Sequence, residues 1–93
     1  MESEADELKD YIGVEVVIDT KCSMVYLGTL EKVRAHFVTL TACDVHDSAE
    51  GQTRKEIYIH DARKYGIKRN RERVELRRDD IISISRLSDV TEY

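Results

Sequence analysis

Gly28-Thr29-Leu30-Glu31-Lys32-Val33-Arg34-Ala35-His36-Phe37-Val38-Thr39-Leu40, joined further along the chain by Leu76-Arg77-Arg78-Asp79-Asp80-Ile81-Ile82-Ser83-Ile84, decides how this sequence folds. Much of both stretches alternates apolar and polar residues with a period of two, the pattern of strands with one buried face. The first carries Gly28 inside its strand pattern, and a glycine there marks a bend, a bulge or a close backbone approach. A strongly curved strand in a small closed barrel needs that freedom.

Working outward, residues 24 to 33 read as a strand bent at Gly28. Residues 36 to 42 read as the next, with Phe37, Thr39 and Thr41 on one face and Val38, Leu40 and Ala42 on the other. Ahead of them, Val14, Val16 and Ile18 alternate with Glu15, Val17 and Asp19, and β-branched residues dominate, so a first strand is expected there. Residues 74 to 77 give a fourth strand, Asp79-Asp80 a tight corner and residues 81 to 87 a fifth. At the start of the chain, Ser3 precedes Glu4, Asp6 and Glu7, which suits an N-cap and an acidic first turn. Leu8, Tyr11 and Ile12 then share one helical face and Gly13 stops the element, predicting a helix over residues 3 to 12 that packs on the barrel. An insert spans residues 44 to 73 and opens with the polar loop His46-Asp47-Ser48-Ala49-Glu50-Gly51-Gln52. Within it, Tyr58, Ala62 and Tyr65 stand at helical spacing ahead of Gly66, which favours a helix over residues 54 to 65; a short strand at 57 to 59 is the alternative. The expected fold class is mostly β: one domain over residues 1 to 93, a small five-stranded SH3-like barrel with an N-terminal α-helix and a helical or loop insert between strands three and four.

A chain of 93 residues buries only about two-thirds of the surface its unfolded form exposes, so the core is small. A site made by surface residues or between subunits is therefore favoured over an enclosed one. Apolar residues make up 41 % and charged residues 37 %, with Phe37 and five tyrosines the only aromatics, a soluble globular mixture. No run approaches the roughly 18 apolar residues of a membrane span, and the acidic start lacks the basic and apolar regions of a signal peptide. A cytoplasmic location with no membrane partner is expected, the nucleus remaining open. Cys22 and Cys43 form no CxxC motif and are too few for a disulfide framework, which predicts reduced, partly buried thiols.

The net charge of -4 conceals an asymmetry. Residues 63 to 78 carry Arg63, Lys64, Lys68, Arg69, Arg71, Arg73, Arg77 and Arg78 against only Glu72 and Glu75, while acids concentrate near the start. One basic segment on an acidic chain is compatible with local phosphate binding, and equally with a solvated face that complements the acidic N-terminus of a neighbour.

The two stretches quoted first resemble the bipartite signature of Sm-like proteins. Tyr11-Ile12-Gly13 with Val14, Val16 and Ile18 is similar to the helix end and first strand of that family. Tyr26, Gly28, Leu30 and Leu40 fit its first motif, and Leu76-Arg77-Arg78-Asp79-Asp80-Ile81 through Ile84 is similar to its second. The resemblance covers residues 5 to 45 and 74 to 88 and implies an Sm-like barrel. It also implies assembly, because in this family the fourth strand of one subunit pairs with the fifth of the next to close a homo-oligomeric ring of usually five to seven subunits. In members that bind uridine-rich RNA, the loop after the second strand supplies an aspartate, a stacking residue and a base-reading asparagine. Here Arg34 stands at the aspartate position and Phe37 or Val38 at the asparagine position, so amide recognition of a base edge is lost. His36 and Phe37 remain as stacking residues, Arg77 matches the family arginine that covers the other face of the base, and Arg78 replaces a glycine.

The implied RNA-binding residues are therefore Arg34, His36, Phe37, Arg77 and Arg78, holding single-stranded RNA by stacking and phosphate attraction with weakened base choice. The other reading keeps the fold, loses RNA recognition and uses the insert as a protein-interaction scaffold. Catalysis finds no support: there is no G-x-S-x-G elbow and no glycine-rich phosphate loop, and the cysteines lack an activating histidine. His46-Asp47, His60-Asp61 and Cys43 supply metal-ligand types at spacings that match no zinc pattern, so neither metal nor cofactor is expected.

Overall fold

Val16, Val17 and Ile18 are all buried, although successive strand residues point to opposite sides of a sheet. Both faces of this strand are therefore covered, and two cores result. The structure, a computed structural model, describes residues 6–49 and 55–91. A 3-10 turn, Glu7–Tyr11, leads into β1 (Glu15–Thr20), β2 (Met24–Val33) and β3 (Phe37–Asp47); helix α1 (Lys55–Tyr65) follows, then β4 (Arg71–Arg77), a 3-10 turn Arg78–Asp80, β5 (Ile81–Arg86) and a last 3-10 turn, Leu87–Asp89. The strands form one antiparallel sheet in the order β4-β3-β2-β1-β5. The mostly β, five-stranded architecture expected from the sequence is the one observed.

The inner core joins Val16 and Ile18 of β1 to Leu30, Val38, Leu40, Cys43 and Leu76, with Val74, Ile81 and Ile84 against it. β4 and β5 end the ladder at opposite sides and do not pair with each other, yet side chains of both pack on this one core. The sheet is thus curled into a barrel whose seam is closed by packing. The outer core lies on the other face, where Val17, Val25 and Leu27 meet Ala62, Tyr58 and Ile59 of α1, Ile67 beyond it and Leu87.

The curl originates at Gly28. A Cβ there would lie 3.0 Å from the Thr41 carbonyl oxygen and 3.3 Å from the Cys43 Cα, backbone that has no room to give. Opposite it the β2–β3 register shifts between Leu27 and Thr29, and Ala42 takes a left-handed φ of 53°. An extra residue on β3 against a bare glycine on β2 bends the ribbon sharply.

Four expectations are corrected. The N-terminal element is a 3-10 turn capped at Asp6 without a side-chain bond, in place of an α-helix over residues 3 to 12; Ser3 lies outside the described residues. With three residues per turn, Leu8 and Tyr11 line up and pack on the inner core, whereas Ile12 falls off that line and is exposed. β3 runs on to Asp47 and β4 begins at Arg71, so both strands reach into the region assigned to the insert. Two acidic residues of that polar stretch find distant partners: Asn70 donates to Asp44, and Ser23 donates to Asp47. Residues 50 to 54 of the expected polar loop and helix start lie outside the described residues. Helix is the outcome for Lys55–Tyr65, and Tyr58 and Ala62 face the sheet, but Tyr65 does not join them. Gly66, at φ +97°, turns the chain away, its N–H donating to the Ala62 carbonyl at 2.9 Å. Finally, Cys43 is buried and Cys22 exposed, both as free thiols; burial pushes the Cys43 thiol up.

Candidate nucleic-acid interface

The loop joining β2 to β3 is a tight turn closed by the Arg34 N–H donating to the Phe37 carbonyl at 2.9 Å. The start of the β4–β5 turn is tied to it, because the Arg78 N–H donates to the His36 carbonyl at 3.0 Å. Phe37 stands directly opposite Arg77 in the β3–β4 register, so their side chains share a face. Val38 and Leu76, the next pair, point into the core. Arg34, His36, Phe37, Arg77 and Arg78 thus come together at one end of the barrel. His36 and Phe37 are exposed, Phe37 by 37 %.

The three arginines are not equivalent. Arg78 is half-buried, and its guanidinium donates to both Asp6 carboxylate oxygens at 2.9 Å and to the Arg34 carbonyl at 2.8 Å. It fixes the N-terminal turn and the loop to one another, and its bidentate bonds hold the Asp6 carboxyl below the usual carboxylate range. The glycine expected at this position is not required, since the backbone of Arg78 does not enter the left-handed region. Arg34 pairs with Glu75, whose carboxylate also accepts from the Thr39 hydroxyl at 3.0 Å. Arg77 meets Asp79 at 3.3 Å with both side chains well exposed, a contact worth about 0 to 1 kcal/mol and easily exchanged for a phosphate. A groove lined by Asp6, Tyr11, Val33, Arg34, Arg78 and Arg86 opens beside this cluster.

Asp6 and Glu75 are the members that sequence reasoning missed. They are 72 and 41 residues from their partners, and no local pattern announces such pairings. The metal-ligand types read from the sequence do not converge: His46 stacks on Tyr58 with ring centroids 3.8 Å apart, Cys43 belongs to the inner core, and among the described residues no three His, Cys, Asp or Glu side chains gather. Burial, and then the Asp44 carboxylate, hold the Tyr58 phenol above its usual range.

No protein-family model matches the chain, and no curated protein does so either. Solved structures do. An Sm protein of Pyrococcus abyssii, in complex with a uridine heptamer, superposes with a TM-score of 0.60 at 16 % identity, covering 91 % of this chain and 99 % of that one. The chain has the Sm-like fold. A chain of the NatC complex bound to Gag peptide and CoA is also similar, with a TM-score of 0.53 at 15 % identity over 83 % of this chain and 86 % of that one. At such identities the likeness is one of fold. Within the Sm-like frame, the cluster just described occupies the paired loops at the start of β3 and the end of β4, and α1 is the element laid over the outer face of the sheet.

Proposed function

We propose that this Sm-like chain assembles into a homo-oligomeric ring of five to seven subunits and binds single-stranded RNA with weakened base choice. The observation that carries the reading is the pairing of exposed Phe37 with exposed Arg77 across β3 and β4, an aromatic face and a guanidinium plane side by side. His36 adds a second ring, Arg34 and Arg77 attract phosphate, and Arg78 holds the loops that present them. No amide stands beside the stacking residues, so the base is held by its face more than read at its edge. The similar Pyrococcus protein was captured with a uridine heptamer, which supports the same ligand class here. Assembly is supported by the sheet order: β4 and β5 each end the sheet with an unpaired edge, and Ile82 on β5 is 64 % exposed.

A second reading rests on a different observation. Arg34, Arg77 and Arg78 all face carboxylates, which weakens the loop end as an anion site and favours a scaffold that works through protein contacts. The solution mass combined with titration of a panel of labelled oligonucleotides tests both. A five- to seven-fold mass with RNA binding that Phe37→Ala or Arg77→Ala weakens supports the ring reading. A monomer, or no binding at micromolar protein even in low salt, removes it.

A further inference from the structure

A denser group of positive charges lies elsewhere. Residues 63 to 71 contain Arg63, Lys64, Lys68, Arg69 and Arg71 and no acid. Among the described residues no carboxylate pairs with any of them, whereas Arg34, Lys55, Arg73, Arg77 and Arg78 are each paired. The Arg71 guanidinium donates to the neighbouring Asn70 carbonyl, and the Lys64 ammonium lies 5.4 Å from the centroid of the Tyr65 ring. Tyr65 itself is 72 % exposed, the most exposed large apolar side chain among the described residues.

The segment is held in place. Gly66 turns it out of α1, and Ile67 packs on the outer core. Asn70 then fastens it to β3: its N–H donates to the Cys43 carbonyl at 2.7 Å, and its side chain accepts from the Val45 N–H and donates to the Val45 carbonyl and to Asp44, each at 3.1 Å. Between these anchors Lys68 and Arg69 can only face outward, and both are exposed. Arg63 and Lys64 suit the negative end of α1, but Lys68 and Arg69 lie beyond it and serve no helix.

From this arrangement we infer that residues 63 to 71 form a second binding surface for single-stranded nucleic acid, in which Tyr65 stacks on a base while Arg63, Lys64, Lys68, Arg69 and Arg71 take the phosphates. An exposed ring beside an array of cations that have no carboxylate partner among the described residues, on a fixed frame, is the chemistry of a stacking platform with an electrostatic track. A membrane surface would call for a broad apolar face, and this segment offers only Tyr65. The site sits at the far end of β4 from Arg77, about 20 Å away along the strand. It goes beyond the loop-end reading and stands without it.

Fluorescence anisotropy with a labelled mixed-sequence RNA of about 20 nucleotides, from about 50 to about 200 mM salt, tests the inference. Each phosphate contact on a single strand contributes a slope of about -0.7 in log affinity against log salt, so the combined change Arg63→Gln, Lys64→Gln, Lys68→Gln, Arg69→Gln flattens it by about 3. Tyr65→Ala weakens binding about tenfold and Tyr65→Phe leaves it unchanged. His36→Ala with Phe37→Ala, measured alongside, reports the loop-end reading separately. Photo-cross-linking of the unaltered protein places the RNA on Tyr65 even if a variant folds poorly. An unchanged slope in the four-residue variant, cross-links confined to residues 34 to 37, or tighter binding to anionic vesicles than to RNA overturns the inference.

Discussion

The two ends of β4 present arginines of the same kind to different effect. At the Arg77 end the three loop arginines are matched: Arg77 by Asp79, Arg78 by Asp6, and Arg34 on the facing loop by Glu75. At the Arg71 end, among the described residues, none from residues 63 to 71 has a carboxylate partner. One end turns charge into geometry, with a loop and an N-terminal turn bound to each other, and the other leaves charge available to a ligand. A sum over residues 63 to 78 conceals this division, because Glu31, Asp79 and Asp6 neutralise only Arg73, Arg77 and Arg78.

Both ends depend on the anchoring of the strand in the core, so the largest effect is expected at Leu76, the buried residue of β4. It is 5 % exposed in the inner core, and β4 is held to the sheet only through β3. Leu76→Ala is expected to cost about 2 to 5 kcal/mol in chemical denaturation, and hydrogen exchange should show both ends loosening together. Loosening at one end alone would mean that β4 is not a single rigid rail.

Asn70→Ala addresses one end. It removes the amide from Asp44, a buried carboxylate, and from both backbone groups of Val45, for an expected cost of about 1 to 3 kcal/mol. Protection should fall in residues 66 to 71 while the 34 to 37 loop keeps its own. Glu75→Gln addresses the other end. It frees Arg34 from an exposed pair, so stability should change by about 0 to 1 kcal/mol, while RNA affinity at low salt rises by up to about fivefold. A fall in affinity would mean that the Arg34–Glu75 pair positions the loop and does not merely mask its charge.

The sequence was legible where side-chain period and backbone demand coincide. β2 begins and ends where its pattern does, Gly28 marks the bend, and Gly66 stops the helix. It was illegible where a polar residue's partner is remote. His46 and Asp47 read as loop because nothing nearby explains a strand there; Tyr58 stacks on the first and Ser23 bonds the second. The N-terminal element misled for another reason, since Leu8, Tyr11 and Ile12 fit an α-helix and only the choice of three residues per turn leaves Ile12 outside. The five residues gathered at the loop end came from the family resemblance, which places them but cannot say which arginine is locked. That distinction needed Asp6, a residue the sequence offered only as part of an acidic first turn.

The smallest expected effect is a difference in response to acid. Asp6 has its carboxyl lowered in the folded protein, chiefly by the Arg78 bonds, so its contribution is fully present above the unfolded carboxylate value of about 3.9 and is lost as pH falls through the lower folded value. Asp47 is lowered as well, first by the Ser23 hydroxyl, and responds in the same acidic window, so global stability alone does not separate them. Local probes do. Amide signals of Leu8, Lys9 and Tyr11 should hold steady from pH 6 down to about 4.5 and shift below about 4 as the N-terminal turn leaves Arg78, and Asp6→Asn should remove most of that step. Lys68 and Arg69, which carry no carboxylate to protonate, should show no step of their own. Undocking of the turn near pH 6 would mean that Asp6 is not the group holding it, and the contrast between a locked and an open end of β4 would lose its clearest signature.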